Sequence, residues 1–578
     1  MIKSGKTLKN SIFLSGNEAL AQGAYEAGLK VAAAYPGTPS SEILEYLAGF
    51  NEIDSQWSVN EKAAFEVAFG AAIGGMRSLY VSKHVGVNVT MDGLMTSAYI
   101  GVNAGFVIVT SDDPGLHSSQ NEQDNRLIAR MANIPLLEPS SPAEAKVFIK
   151  KAFELSERLD VPVMLRLTTR ISHTKENVVI GKRVEVPQKK FEINPKKYVM
   201  VPNNAFARHI DLKKRLQKAE KISQSTPLNK VEIRDKKLGI ITSSVSYLYA
   251  REMLPDVSIL KLGMSYPLPV QKIRDFAKKV KAVFVLEELE PFLEDAIKAA
   301  GIKIKAKHFS WQVGELRPEY IDAILKGKPR KVAKSLTRKP VMCPGCLHRP
   351  VFTVLRKLKA VVAGDIGCYT LGALPPLGSL HTCLCMGAGI TMFDGLKRAN
   401  VKNVVGVIGD STFVHSGITG LINAVYNKQK GLVIILDNSI AAMTGGQPHP
   451  ATGITIKKEK THKLDLRQIC IASGVDNVDE IDPFQFKQLE ALIKRRMSQD
   501  SLSVIIARFP CRIISRKKAP RPLYIKENCK KCNICLSIDC PAITADSEGW
   551  IQINKDLCTG CNLCVEVCPF DSLRKNNG

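Results

Sequence analysis

The sequence predicts an α/β protein: several doubly wound parallel-sheet domains followed by a small α+β domain at the carboxyl end. Three observations carry this expectation. Helical and extended patterns alternate through residues 1–180, and do so again in 237–335 and 340–515, as happens where parallel strands are joined by crossover helices. Short apolar runs such as 106–110, 161–167, 282–286, 404–408 and 432–436 read as buried strands. Eight of the fifteen cysteines crowd into the last fifty residues, in two runs.

Element by element, residues 18–28 read as a helix and 30–35 as extended chain. A turn follows at Pro36-Gly37-Thr38-Pro39, and 78–82 reads as a strand. Residues 181–236 are lysine-rich and weakly periodic, with Pro187, Pro195, Pro202 and Pro227. They read as a basic connecting segment, helical around 212–223. Strands return at 238–242, 258–262 and 282–286 in the 237–335 domain, and at 503–507 in the 340–515 domain. A basic linker, Arg516-Lys-Lys-Ala-Pro-Arg-Pro522, leads into a 520–578 cysteine domain.

The 578 residues suffice for about three or four domains. No run of eighteen apolar residues calls for a membrane span, and Met1-Ile-Lys-Ser-Gly-Lys6 lacks a signal-peptide pattern. All fifteen cysteines lie beyond residue 342, which points to local cofactor sites in a reducing cytoplasm, not to a disulfide framework. The formal charge is +26. Its lysines and arginines are dispersed, at 189–237, 326–339 and 516–521, which argues for a solvated face or an acidic protein partner and against nucleic acid.

The first cysteine run is Cys529, Cys532, Cys535 and Cys540-Pro541; the second is Cys558, Cys561, Cys564 and Cys568-Pro569. The second fits the C-x2-C-x2-C-x3-C-P pattern, and the first has one extra residue before its fourth cysteine. Such pairs hold two [4Fe–4S] clusters, the fourth cysteine of each run ligating the other cluster. The expected sets are therefore Cys529, Cys532, Cys535, Cys568 and Cys558, Cys561, Cys564, Cys540. Zinc or disulfides are the alternatives.

Gly409-Asp410-Ser411 follows the 404–408 run, and Asn438 ends the 432–436 run, roughly thirty residues later. Strand, turn, helix and strand place Asp410 and Asn438 at the carboxyl ends of neighbouring parallel strands, where such sheets bind ligands. A diphosphate needs Mg²⁺, which takes carboxylate or amide oxygens besides the phosphates. Gly409 would let backbone approach the phosphate. An ordinary turn is the alternative for Asp410.

This spacing resembles the thiamine pyrophosphate motif, with Ser411 in place of the usual glycine. Met443-Thr444-Gly445-Gly446-Gln447-Pro448 resembles the thiamine-dependent 2-oxoacid:ferredoxin oxidoreductases. So do Phe13-Leu-Ser-Gly-Asn-Glu-Ala19, Tyr35-Pro-Gly-Thr-Pro-Ser-Ser41, Trp57-Ser-Val-Asn-Glu61 and Gly364-Asp-Ile-Gly-Cys-Tyr-Thr-Leu-Gly372; these are similar to the large, alpha, subunits of the indolepyruvate branch of that family. The resemblance implies a pyrimidine-binding domain, a transketolase-C-like domain, a diphosphate-binding domain and a ferredoxin-like domain, in that order. It implies Asp410, Asn438 and the Ile440 carbonyl on Mg²⁺, with Gly409, Ser411 and Thr444 at the cofactor. Glu61 would meet the aminopyrimidine ring, Thr38 would face the substrate, and Lys83 and His84 would meet its carboxylate. Read from the residues alone, Glu61 is equally a helix-start acid and His84 a structural histidine. The implied reaction is oxidative decarboxylation of arylpyruvates, indolepyruvate foremost, with coenzyme A taking the acyl group and ferredoxin the electrons. A smaller beta subunit of the gamma-domain type is implied, in a dimer of heterodimers. Branched 2-oxoacids or pyruvate are the alternative substrates. A non-oxidative thiamine decarboxylase and an electron-transfer scaffold are the rival functions.

By the same resemblance Cys343-Pro-Gly-Cys346, Cys368 and Cys511 would hold a third cluster. A zinc site or buried apolar cysteines are the alternatives. Cys385, near Cys383 and His381, could line the thiazolium pocket. Iron analysis of anaerobically purified protein should give about twelve irons per chain; about eight would remove the third cluster.

Overall fold

The computed structural model describes residues 10–331, 340–515 and 519–576. Met1-Ile-Lys-Ser-Gly-Lys6, part of the basic 326–339 stretch and Arg516-Lys-Lys518 of the linker fall outside these residues. The chain divides into two compact units, 1–334 and 335–578.

The first unit is built on a seven-stranded sheet. Its order is Met264–Tyr266, Leu136–Leu137, Val163–Thr168, Phe106–Asp112, Ser78–Lys83, Val31–Ala34 and Asp54–Trp57. All pairings are parallel except that of Met264–Tyr266, an edge strand contributed from beyond residue 237. Phe106–Asp112 and Val163–Thr168 are buried throughout, which is why they read as unbroken apolar runs. A second sheet orders Ala282–Leu286, Asp235–Thr242, Val257–Lys261 and Lys230–Glu232.

The lysine-rich segment holds a longer helix than its sequence predicts, Pro202–Ser225. It is docked, not loose. Arg208 and Arg215 donate to the carbonyls of Tyr99 and Ile100, and to Asp160. Tyr99 and Ile100 close the helix Met91–Ile100, so guanidinium groups satisfy carbonyls that a helix end leaves open.

Buried charge joins the two sheets. Arg126, 1% exposed, binds Asp124 and Glu287 at 2.5 and 2.6 Å and the carbonyls of Glu288 and Glu290. Arg166 binds Asp112 at 2.6 Å and Glu138 at 2.9 Å. Both guanidinium groups are thus paired, the condition under which buried charge is tolerated, and only Nη2 of Arg166 is left without a hydrogen-bond partner.

The second unit carries a five-stranded, all-parallel sheet: Val361–Ala363, Val404–Gly409, Gly431–Asp437, Leu502–Arg508 and Asn477–Ile481. Its core continues without a break into the cysteine domain, through Cys535, Ile538, Ile543 and Ile551. Arg349 pins that domain in place. It is 1% exposed and donates to the carbonyls of Met342, Cys343, Ile538 and Asp539. Two short antiparallel pairs complete the tail: Leu523–Tyr524 with Leu573–Arg574, and Ile543–Ala545 with Ile551–Ile553. Among the described residues no helix is long and apolar enough to cross a membrane.

Glu288 lies in the buried network, and burial pushes its pKa up to about 7. Between its unfolded value and about 7 the folded state therefore holds the extra proton, and Glu288 lowers stability as pH rises through that window. Urea unfolding of Glu288→Gln is expected to show a flatter pH dependence from 4.5 to 7. The variant should gain on the order of 2–3 kcal/mol above that window; an unchanged slope contradicts this.

Candidate functional site

In the second unit, Val404–Gly409 and Gly431–Asp437 pair in parallel, Gly409 opposite Leu436. Asp410 and Asn438 therefore leave the sheet side by side at its carboxyl edge, as the sequence predicts. Asp410 is buried. Its Oδ1 accepts the Ser411 amide at 2.9 Å and its Oδ2 the Ser439 amide at 2.8 Å. Ser439 has φ 60°, a left-handed conformation that costs a side chain. A second bond to Asp437 Oδ1, at 3.0 Å, helps hold it there. Asn438 Oδ1 accepts the Ile440 amide at 3.1 Å, and Thr444 Oγ1 donates to Gln447 at 2.6 Å.

Burial raises the Asp410 pKa, against the lowering effect of the adjacent His449. A buried carboxylate facing one imidazole and two amides is short of positive charge, which is what a divalent cation supplies. The residues fit Mg²⁺ and a diphosphate.

A Cβ on Gly409 would stand 2.7 Å from Cε1 of Tyr369, so the missing side chain makes room for that ring.

Sequence reasoning missed three residues around this loop. His449 Nε2 lies 3.2 Å from Asp410 Oδ2, and both groups are buried. Tyr369 packs over Gly409 with its hydroxyl on the Ile366 carbonyl at 2.9 Å. Asp365, fully buried, accepts the amides of Ile366, Gly387 and Gly389 at 2.7, 3.0 and 2.7 Å. The signals were available. His449 directly follows the Gly-Gly-Gln-Pro run, and Asp365 and Tyr369 lie inside the 364–372 stretch. Cys385 is exposed, and Cys383 reaches the Asp365 carbonyl at 3.5 Å.

The cysteines gather in three sets. Cys529, Cys532, Cys535 and Cys568 line one cavity. Cys540, Cys558, Cys561 and Cys564 line a second. These are the crossed sets that the run spacing predicts. Cys343 lies within electrostatic reach of Cys346, Cys368 and Cys511, and Cys368 within reach of Cys346 and Cys511. Burial, then neighbouring thiols, push Cys368 and Cys535 up to about 11. Cys346 rises to about 12, burial again leading. Thiols this costly to ionise alone become thiolates once iron shares their charge.

The third set meets the Asp410 loop. The Cys511 amide donates to the Asn438 carbonyl at 3.0 Å, and the Asp410 charge bears on Cys511. Pro344 and Gly345, inside the Cys343–Cys346 turn, help line the second tail cavity.

In the first unit, Glu61 is the first residue of helix Glu61–Ile73, whose cap Asn60 accepts the Ala63 amide at 2.9 Å. Glu61 is buried, and its carboxylate covers Gly86, where a Cβ would stand 2.7 Å from Oε1. Lys83 Nζ donates to the Ser118 carbonyl at 2.7 Å, and Ser118 Oγ donates to the Thr38 carbonyl at 3.3 Å, so Thr38 and Lys83 share a loop cluster. His84 does not fit the expected contact with a carboxylate. It is fully buried, its Nε2 is 3.2 Å from the Asn121 carbonyl, and burial holds its pKa below the usual histidine range. Burial thus disfavours the charged imidazole that the expected contact would use.

Comparison with known proteins agrees with this geometry. Residues 22–238 match the family described as "Pyruvate flavodoxin/ferredoxin oxidoreductase, thiamine diP-bdg". Residues 365–507 match the "Thiamine pyrophosphate enzyme, C-terminal TPP binding domain" and 551–574 the "4Fe-4S binding domain". Fold and site define an oxidoreductase of the 2-oxoacid:ferredoxin class, built for thiamine pyrophosphate and iron–sulfur clusters. The chain is 39% identical to indolepyruvate oxidoreductase subunit IorA of Archaeoglobus fulgidus, over 97% of each chain. It is 38% identical to IorA of Methanothermobacter thermautotrophicus and 37% to IorA of Pyrococcus horikoshii, in both cases over 98% of this chain and 97% of the relative. It belongs to the family of indolepyruvate oxidoreductase subunit IorA.

Gly409→Ala is expected to destabilise the protein by about 1–3 kcal/mol in urea unfolding, because the new methyl displaces the Tyr369 ring. Tyr369→Leu in the same chain should recover part of that loss. An equal loss in both backgrounds contradicts the packing argument.

Proposed function

We propose that this chain is the thiamine- and cluster-bearing subunit of a cytoplasmic enzyme that oxidatively decarboxylates arylpyruvates, indolepyruvate foremost. The products are the arylacetyl-CoA and CO2, with electrons passing to ferredoxin. The observation that carries the reading is the contact between the Asp410–Asn438 loop and the cysteine set ending at Cys511. A decarboxylase that moves no electrons has no use for that adjacency. The substrate follows from the relatives' names; full-length similarity at 37–39% identity supports it.

Thiamine pyrophosphate, when bound, supplies the electron sink that lets a 2-oxoacid lose CO2. Asp410, Asn438 and the Ile440 carbonyl would hold Mg²⁺, and Ser411 and Thr444 would border the diphosphate. Glu61 would hydrogen-bond the aminopyrimidine ring through its carboxylate. Lys83 and Thr38 would orient the substrate carboxylate. Cys343, Cys346, Cys368 and Cys511 would hold the first cluster. Cys540, Cys558, Cys561 and Cys564 would hold the second, and Cys529, Cys532, Cys535 and Cys568 the third. That order follows contact: Pro344 and Gly345 border the second cavity, and the charge of Cys535 bears on Cys564. Four thiols from the two crossed runs line each tail cavity, which favours cubanes over zinc. A smaller beta subunit completes the enzyme, as a dimer of heterodimers, and coenzyme A accepts the acyl group.

Anaerobic mixing with indolepyruvate should bleach the cluster absorbance near ~400 nm. Asp410→Ala and Glu61→Ala should abolish the bleaching while leaving iron content unchanged. Absence of bleaching by indolepyruvate, pyruvate and branched 2-oxoacids in the assembled enzyme would refute the reading.

A further inference from the structure

We propose that a groove beside Cys568 is the docking surface for an acidic electron-carrier protein, and that electrons leave the chain there. The inference rests on the reading that the tail cysteines hold iron, and adds where the acceptor binds.

The groove has a volume of about 530 Å³ and reaches Cys568 directly. Its floor is apolar, with Phe486, Val567, Pro569 and Ile534, the last 41% exposed. Arg356, Lys357 and Glu566 also line it, the last paired with Lys575 at 3.2 Å. A small apolar patch with a charged rim suits transient redox complexes, which bury little area and depend on charge for encounter.

The sign of the partner follows from where the positive charge sits. Residues 519–576 carry seven Lys or Arg and seven Asp or Glu. The tail is therefore neutral, and iron-loaded cubanes make it negative. Of the helices that border the groove, His348–Lys357 and Phe486–Met497 carry two and four Lys or Arg besides the enclosed Arg349, against the single Glu490, and the short Leu563–Val567 adds Glu566. The field that attracts an acidic protein thus originates at the groove wall. Lys357 pairs with Glu490 at 2.8 Å on the surface; such pairs are weak, and a partner carboxylate can replace one.

The other approach to this cluster, past the exposed Cys532, offers less. Lys526 and Lys531 lie over the Trp550 ring at 4.6 and 3.9 Å, and Lys531 also donates to the Glu548 carbonyl at 2.8 Å. These cations are engaged within the chain, as Arg356 is by the Pro376 carbonyl and Ser537; what sets this face apart is the neutral tail around it. In each transfer at the groove the cluster loses one electron and the carrier gains one; no bond or proton moves.

The test uses the complete enzyme and an acidic 2[4Fe–4S] ferredoxin as the probe, with binding measured by titration calorimetry at several salt concentrations. The double variant Arg356→Glu, Lys357→Glu should weaken binding about tenfold and flatten its salt dependence. Arg356→Lys, Lys357→Arg should restore both. Unchanged binding in the charge-reversed enzyme overturns the proposal, and so does selective weakening by Lys530→Glu, Lys531→Glu, which would move the exit to the Cys532 face. Binding is read independently of turnover, so a failure of 2-oxoacid to bleach the clusters would strike the functional reading and leave this comparison decisive for the docking surface.

Discussion

The second unit is organised around one buried carboxylate. Asp410 stands where two parallel strands end, and each of its oxygens accepts an amide: Ser411 on its own side and Ser439 on the neighbouring strand's side. Those bonds fix the Asp410–Asn438 loop pair and help hold Ser439 in its left-handed conformation. They leave the carboxylate short of positive charge, which a cation would supply. His449 provides part of the compensation. The surrounding glycines answer to packing around the same loop, and Gly409 gives way to Tyr369.

From that loop the structure builds outward by contact. The Asn438 carbonyl receives the Cys511 amide, the Cys343–Cys346 turn reaches the second tail cavity, and Arg349 binds the tail's carbonyls from the helix that starts at His348. The tail is therefore not a tethered accessory within this unit. It shares the sheet domain's apolar core, and a rigid connection of this kind keeps successive cluster sites at fixed separations.

Much of this was legible in the sequence because the signals are local. Cysteine spacing sorts the eight tail thiols into the two sets the fold brings together. Apolar runs ending in Gly-Asp and Asp-Asn locate the strand ends at Asp410 and Asn438. What was not legible depends on tertiary contact. His84 is in sequence either a carboxylate contact or a structural histidine, and only the fold shows it enclosed, with burial lowering its pKa. The basic 181–236 segment reads as a linker, but Arg208 and Arg215 spend their charge on the end of another helix. Glu288 gives no sequence signal, since its raised pKa comes from enclosure between two sheets. The groove at Cys568 joins residues more than two hundred positions apart.

The central claim is that the thiols ending at Cys511 stand between the thiamine site and the tail. Electron paramagnetic resonance of a Cys511→Ala enzyme that retains its tail iron tests it most directly. The account predicts tail signals on chemical reduction and none on adding indolepyruvate. Tail signals of wild-type size and rate after indolepyruvate would contradict it, and would require another route from the Asp410 loop to the tail.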